Sequence, residues 1–120
     1  MLLSDAQLQT ADLSNAWFAH AKFVRARLGR ANLTGIRAEY ADFSWAQLDA
    51  VRMEDANVEE ALFVGTGLRG AVLRGANLVS TNFSFAQLLG TDLDGVDLDG
   101  ATVDPKILAA STGAPAVMPD

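Results

Sequence analysis

The sequence contains no cysteine, and this absence excludes a disulfide scaffold, a thiolate metal site and a cysteine nucleophile. It contains a single histidine, so it offers no histidine-rich metal cluster. No apolar run approaches the roughly 20 residues that span a bilayer, and no basic start followed by a long apolar stretch indicates a signal peptide. We therefore expect a cytoplasmic chain that does not associate with a membrane.

Positive charge is also scarce. Nine Lys and Arg residues oppose 15 Asp and Glu residues, and the resulting net charge of −6 disfavours a general nucleic-acid binder. Charged residues make up only 20% of the chain and hydrophobic residues 50%, which argues against disorder. A length of 120 residues predicts one domain with one core.

The dominant feature of the sequence is a repeat of five residues. Its register holds from Met1 to Pro105 without an insertion or deletion, which gives 21 pentads. The third place of every pentad is apolar, and the first place is Ala in fourteen pentads and Thr in three. The second place is often Asp, Asn, Gln or Arg. A pattern this regular predicts a repeat protein rather than an ordinary globular core.

A period of five matches neither the 3.6-residue turn of a helix nor the simple alternation of a flat strand. It matches a short extended segment followed by a turn. In such a segment the first and third side chains point inward and the second points outward. The fourth and fifth places then form the turn, and the frequent Gly at the fifth place favours a type II turn, which needs a positive φ there.

The segments ADLSN, ANLTG, ADFSW, ANLVS and TDLDG follow the pattern A-(D/N)-L-x-x. On these motifs the chain resembles the pentapeptide repeat family over about 105 of its 120 residues. The resemblance implies an all-β fold, a right-handed quadrilateral β-helix with four pentads per coil and about five coils. We expect residues 1–105 to form this solenoid and residues 106–120 to form a C-terminal cap with a short helix and a tail.

Four pentads per coil require residues 20 apart to stack in columns, and the sequence agrees with this requirement. One inward column contains four phenylalanines, Phe23, Phe43, Phe63 and Phe83. The next inward column contains four leucines, Leu28, Leu48, Leu68 and Leu88. Coils should lie about 4.8 Å apart, a spacing that allows offset stacking of aromatic rings. Ala38 is undersized for a third place and Ile36 is oversized for a first place, which predicts a volume-conserving exchange within one pentad.

The two ends of the repeat differ. At the carboxyl end, Asp104 is expected to cap a helix of about two turns that begins at Pro105 and covers the last coil, followed by an extended or loose tail. A dimer contact is the alternative role of this helix. At the amino end, Met1 and Leu3 already occupy repeat places, so no cap is visible. This end either pairs with another copy, or the chain is a solenoid domain excised from a longer protein.

Charge is distributed unevenly. Residues 1–37 carry five cations and two acids, whereas residues 38–120 carry four cations and thirteen acids. The candidate basic ridge consists of Lys22, Arg25, Arg27, Arg30 and Arg37. The candidate acidic faces carry Glu54, Asp55, Glu59, Glu60, Asp92, Asp94, Asp97 and Asp99. Ordinary solvation of a surface accounts for such charges, and docking of a partner is the functional alternative.

Some pentapeptide repeat proteins protect DNA gyrase from quinolones, and mimicry of duplex DNA is the proposed mechanism. Duplex DNA carries one charge per about 1.7 Å of axis, so a rod roughly 25 Å long would need about 15 negative charges. The net charge of −6 falls well below this number. A DNA-mimicking modulator or protector of gyrase is therefore the alternative function rather than the leading one.

Signs of catalysis or metal binding are weak. The Asp-rich segment 92–100 lacks the ligands that an EF-hand needs at its fifth and twelfth places. His20 has no nucleophile or base beside it in the repeat pattern, and a core filled by Leu and Phe leaves no evident pocket. We expect no enzyme activity, no catalytic residue, no metal site and no cofactor.

Four aromatic residues fall at outward or corner places. Trp45 and Phe85 both occupy a fifth place on the same corner, two coils apart, while Trp17 occupies a second place and Tyr40 a fifth place. They either fold down over the corners or anchor a protein interface. We predict a non-enzymatic interaction scaffold that binds an unidentified protein partner through this candidate patch, without direct binding of nucleic acid.

Overall fold

A computed structural model of the chain describes residues 1–119. Backbone pairing consists of parallel bridges between second-place residues that are 20 residues apart, from Leu2 with Lys22 to Asp97 with Val117. One circuit of the chain therefore takes four pentads, and we call this circuit a coil. Each side of the rod is a ladder of single bridges, and within residues 1–119 no bridge extends into a longer strand.

Hydrogen bonds between coils follow the pentad closely. The third-place N–H donates to a second-place carbonyl of the next coil, as from Phe23 to Asp42 at 2.7 Å. The fifth-place N–H donates to a fourth-place carbonyl, as from Arg25 to Ser44 at 3.0 Å. The first-place N–H closes the turn, as from Ala26 to Phe23 at 2.9 Å. The repeat thus satisfies its backbone locally and between neighbouring coils.

The fourth-place N–H has no place in this ladder, and a side chain satisfies it instead. All eight Asp and Asn residues at second places accept a hydrogen bond from the N–H two residues later, at 2.9–3.2 Å. Such short polar side chains readily bond to nearby backbone. This geometry explains why the repeat favours Asp and Asn at its second place.

Every fifth place from residue 5 to residue 100 has a positive φ, between 57° and 71°. Seven of these residues are Gly, and the other thirteen carry side chains, including Trp45 and Phe85. The turn chemistry indicated by the glycines therefore applies to every corner. As a result, the four corners of the rod present columns of projecting fifth-place side chains.

Third-place side chains fill the interior. From Phe18 to Leu98 they are all buried, and Ala38 is fully buried together with Ile36. The rings of Phe23, Phe43, Phe63 and Phe83 form a continuous stack with centroids 4.8, 5.2 and 5.0 Å apart and planes within 8° of parallel. These spacings match the separation of neighbouring strands, so ring stacking and backbone pairing share one geometry.

The only helix within residues 1–119 is α1, Pro105–Leu108. Asp104 caps it by accepting a hydrogen bond from the Lys106 N–H at 2.8 Å, as the sequence predicts. The expected length of two turns was wrong, since α1 has four residues. The Ala110 carbonyl accepts a hydrogen bond from the Gly90 N–H at 2.9 Å, which returns the chain to the ladder after one turn. No helix in this part of the chain is long and apolar enough to cross a membrane.

The segment after α1 resumes the 20-residue register. Thr112 and Val117 form bridges to the residues 20 places earlier, so the tail is extended and paired rather than loose. Gly113 has a φ of 81°, and a Cβ atom there would lie 2.6 Å from the Asp94 nitrogen. Glycine is therefore required where the tail crosses the preceding coil. The resulting rod measures 32 by 22 by 20 Å. Its length exceeds the roughly 25 Å expected from five coils at the spacing of paired strands.

Candidate interaction surface

Two of the exposed aromatic side chains, Trp45 and Phe85, lie on one edge of the rod. We call the fifth-place column that contains Asp5, Arg25, Trp45, Gly65 and Phe85 the Trp45 corner. Trp45 is 56% exposed and Phe85 is 76% exposed. The six-membered ring of Trp45 lies over Gly65, where a Cβ atom would clash with it. Trp45 thus folds along its corner toward Phe85 and still presents more than half of its surface to solvent.

A groove runs beside this corner toward the amino end. It has a volume of about 610 Å³ and is lined by Asp5, Gln7, Arg25, Arg27, Trp45 and Gln47. Arg25 forms an ion pair with Asp5 at 3.1 Å, and the hydrogen bond from this pair raises the pKa of the Arg25 guanidinium. The groove is open and combines an aromatic wall, amides and a free Arg27, which suits contact with a protein surface more than enclosure of a small molecule.

The other two aromatic residues lie on the opposite side of the phenylalanine column. Trp17 is 76% exposed, and the Arg37 guanidinium lies 5.3 Å from its ring centroid. Tyr40 stacks on His20 with centroids 5.0 Å apart and planes within 2° of parallel. The structure therefore separates the four predicted aromatic residues into two groups. The His20–Tyr40 stack was missed in the sequence, although both residues occupy fifth places 20 apart.

The acidic faces are partly neutralised. Glu54 pairs with Arg52 at 3.2 Å, and Asp92 pairs with Arg74 at 2.9 Å. The pKa of Asp92 lies below its ordinary value because its carboxylate accepts the Asp94 N–H and pairs with Arg74. Asp97 likewise uses one oxygen to accept the N–H of the residue two places on. Asp55 and Asp94 lie near these pairs on the same corner column.

A second acidic group lies on the corner that follows the fourth ladder. This acidic corner contains Glu39, Glu59, Glu60 and Asp99, and within residues 1–119 no Lys or Arg pairs with them. At about one charge per 1.7 Å, a duplex as long as this 32 Å rod would carry many more charges than the net −6 of the chain. The charge density therefore does not match that of DNA.

The candidate basic residues do not form a ridge along one side. Lys22, Arg25, Arg27, Arg30 and Arg37 all belong to the second coil and point from its successive faces and corners. They form a belt around the rod near its amino end. Because a belt presents only one or two cations to any flat partner, it is a weaker docking site than a ridge would be.

The side chains that could perform chemistry are dispersed. Within residues 1–119 no three His, Cys, Asp or Glu side chains converge on a point that could hold a metal ion. The buried polar side chains are threonines, and Thr66 and Thr91 donate hydrogen bonds to third-place carbonyls of the preceding coil at 2.7 and 2.6 Å.

A rod of stacked four-sided coils, with a filled core and flat outer ladders, defines a repeat solenoid. The chain belongs to the pentapeptide repeat family, because the family model described as pentapeptide repeats matches eight copies over residues 2–37, 26–65, 41–78 and 61–100. The resemblance drawn from the motifs is thereby confirmed. Proteins of this family are generally structural or interaction scaffolds.

Solved structures agree with this fold. The chain is similar to Rfr23, a pentapeptide repeat protein from the cyanobacterium Cyanothece 51142, with a TM-score of 0.78 and 20% identity over 95% of this chain and 87% of that one. It is also similar to HetL from the cyanobacterium Nostoc sp. strain PCC 7120, a protein involved in heterocyst differentiation regulation. That match has a TM-score of 0.51 and 26% identity, over 84% of this chain and 55% of HetL.

A weaker match involves QnrB1, a plasmid-mediated fluoroquinolone resistance protein, with a TM-score of 0.47 and 17% identity over 99% of this chain and 79% of that one. A likeness of this size carries no argument about function. No curated protein sequence matches the chain. The comparisons thus assign the family and the fold.

Proposed function

We propose that this chain is a non-enzymatic scaffold that binds a protein partner through the Trp45 corner. The observation that carries the proposal is the exposure of Trp45 and Phe85 on one edge, 40 residues apart in sequence and two coils apart in space. Large aromatic side chains dominate the binding energy of protein interfaces. Two of them grouped on one edge form an exposed apolar patch, a feature that marks interaction sites.

The backbone beneath the corner supports this role. Trp45 donates its N–H to the Val64 carbonyl at 2.8 Å, and Gly65 donates to the Ser84 carbonyl at 2.8 Å, so the corner is fixed to the coils that follow. A rigid support reduces the entropy lost when the aromatic side chains are immobilised on binding. We also propose right-handed winding, as the family resemblance implies, and a capping role for α1 through its half-buried Ile107 and Leu108.

Site-specific photo-crosslinking tests the proposed surface. A benzophenone amino acid is placed at Phe85 or, as a matched control, at Ser80, which shares the same fifth-place conformation on the acidic corner. We expect a discrete crosslinked protein from position 85 in cells, its loss when Trp45→Ala is added, and no such product from position 80. Equal products from both positions, or none from position 85, would contradict the proposed surface.

A further inference from the structure

The side chains of the face next to the Trp45 corner can be paired about Leu62. We call the ladder formed by Leu2, Lys22, Asp42, Leu62, Asn82 and Thr102 the first face. Leu62 is 39% exposed and lies two coils from Lys22 and two coils from Thr102. Because the ladder advances one coil every 20 residues, each residue from Lys22 to Thr102 has a counterpart at the same distance on the other side of Leu62.

The counterparts are complementary in chemistry. One coil from Leu62 in either direction, Trp45 corresponds to Phe85 on the corner, and Asp42 corresponds to Asn82 on the face. Two coils away, Lys22 corresponds to Thr102, and the exposed Asp104 follows two residues after Thr102. Rotating the rod by 180° about an axis that runs across the first face at Leu62, perpendicular to the rod, therefore places aromatic against aromatic and amide against carboxylate. An isologous interface requires this self-complementarity.

We infer that the first face and the Trp45 corner bind a second copy of this chain, antiparallel and related by a two-fold axis at Leu62. This inference rests on the proposed function and names the partner of the same surface. In the pair, each Leu62 meets its own counterpart, and each Trp45 lies against the partner copy's Phe85. Each Lys22 lies level with the partner copy's Thr102, which precedes the exposed Asp104 by two residues.

The polar pair on this face has free hydrogen-bonding groups. Asp42 uses its Oδ1 atom to accept the Ser44 N–H at 2.9 Å. Asn82 uses its Oδ1 atom for the N–H and hydroxyl of Ser84, at 2.9 and 2.6 Å. Within residues 1–119, the second Asp42 oxygen and the Asn82 amide nitrogen have no partner. An amide that donates to a carboxylate across the interface would satisfy both groups.

The other faces lack this complementarity. The equivalent rotation about Gly67 on the second face sets Arg27 level with Lys106, and about Asn77 on the fourth face it sets Glu59 level with Asp99, which are pairs of like charge. The third face has Arg52 and Asp92 at related places, but both are already paired within the chain. Like-charge contacts disfavour an interface. On the first face they are confined to the acidic corner, away from the aromatic pair, so the first face is the favoured surface.

The size of the face sets the strength to expect. The five coils span about 24 Å, and with a rod width of 20 to 22 Å each copy offers roughly 500 Å². The pair therefore buries about 1,000 Å² in total, near the lower limit for a specific interface. The acidic corner borders this face and brings Glu59 and Glu60 level with the partner copy's Glu59 and Glu60, so the contact is centred on the Trp45 corner. We expect a weak, micromolar dimer.

Sedimentation equilibrium of the purified chain over about 5–500 µM measures this association. Each side chain acts twice in a two-fold dimer, so Trp45→Ala and Phe85→Ala should each weaken it at least about tenfold. Lys22→Glu should weaken it as well, and adding Thr102→Lys at the counterpart place should restore it. The matched control is Arg30→Glu, which makes the same charge change on a distant corner and should leave association unchanged. Circular dichroism verifies that every variant folds.

Cysteine crosslinking tests the position of the axis, because the chain has no cysteine of its own. Packed sheets lie about 10 Å apart, a gap that a short bis-maleimide can bridge. Leu62→Cys should crosslink to a dimer at least about tenfold faster than Val72→Cys, which lies at the same level on the opposite face. Equal rates for the two variants would overturn the inferred axis.

The remaining outcomes are also decisive. A monomer at every concentration overturns the inference, as does a dimer that Trp45→Ala, Phe85→Ala and Lys22→Glu leave unchanged. The proposed function fails separately, since it requires a crosslinked product from position 85 whatever the partner is. A monomeric chain that crosslinks to a different protein from position 85 would therefore retain the function and remove the second copy as its partner.

Discussion

Single residues in this protein carry structural and electrostatic roles together. Asp92 accepts the Asp94 N–H at 3.0 Å through one oxygen and pairs with Arg74 at 2.9 Å through the other. The first contact satisfies the Asp94 N–H, a fourth-place group that has no backbone partner between coils. The second contact neutralises part of an acidic face. Counting charges along the sequence therefore overstates how acidic this face is to an approaching partner.

The lowered pKa of Asp92 predicts a defined loss of stability in acid. Because folding favours its ionised form, its contribution is complete above the ordinary carboxylate pKa of about 3.9 and is lost as the pH falls below that value toward the lowered pKa. Asp92→Asn retains an oxygen for the Asp94 N–H and removes the titration. We expect the melting temperature of the parent chain to fall more steeply than that of Asp92→Asn between about pH 5 and pH 2.

Thermal melts followed by circular dichroism across this pH range provide the measurement. Asp12→Asn is a parallel case, since hydrogen bonds from the hydroxyl and the N–H of Ser14 also lower the pKa of Asp12. Parallel melting curves for the parent and Asp92→Asn would show that the Asp92 carboxylate does not contribute through its charge.

The phenylalanine column is the element that joins the coils most directly. Its four rings stack through the rod with nearly parallel planes, while the aromatic Phe85 two places after Phe83 points into solvent. Within one pentad, the third-place Phe83 is therefore part of the core, whereas the fifth-place Phe85 is part of the surface. The same residue type is buried or exposed according to its place in the repeat.

This contrast gives a matched pair of substitutions. Phe83→Ala removes a buried ring and leaves a cavity, so the free energy of unfolding should fall by about 3–5 kcal/mol. Phe85→Ala removes an exposed ring and should change it by no more than about 0.5 kcal/mol. Urea denaturation monitored by circular dichroism compares the two variants. Similar losses from both would mean that Phe85 packs against the fold rather than serving as a contact.

The helix α1 shows how far local signals extend. The Asp-Pro pair predicts its start, because the cap and the first-position proline are decided by adjacent residues. Its end depends on the Gly90–Ala110 hydrogen bond, which joins residues 20 apart. The length of α1 could not be predicted from the local sequence, since Gly90, which binds the Ala110 carbonyl, belongs to another coil.

The rod as a whole depends on each coil being covered by the next. At its carboxyl end the tail provides this cover. The N–H groups of Leu93 and Leu98 donate to the carbonyls of Thr112 and Val117, both at 2.9 Å. The tail therefore contributes the backbone partners of the last full coil, although its third places, Gly113 and Met118, hold no buried side chain.

Removing residues 105–120 should destabilise this end first. The lost hydrogen bonds each contribute about 0.5–1.5 kcal/mol, so the melting temperature should fall by at least about 10 °C. Hydrogen exchange should accelerate at the Leu93 and Leu98 amides and remain slow at Leu33, whose N–H donates to the Arg52 carbonyl at 2.6 Å. Unchanged protection at Leu93 and Leu98 would mean that the tail is not their cover.

The five-residue period by itself determined the turns and the inward places, because each pentad encodes its own turn and its own buried side chain. The A-(D/N)-L-x-x motifs carried the resemblance to the pentapeptide repeat family, and that resemblance implied the 20-residue pairing. The tertiary structure alone decided which outward side chains meet. The Trp45 ring lies over Gly65, and Arg74 pairs with Asp92, although each had several other neighbours within reach. An outward side chain on such a rod faces neighbours along the coil and across coils at similar distances. The choice among them depends on rotamer, local space and charge, which the repeat pattern does not encode.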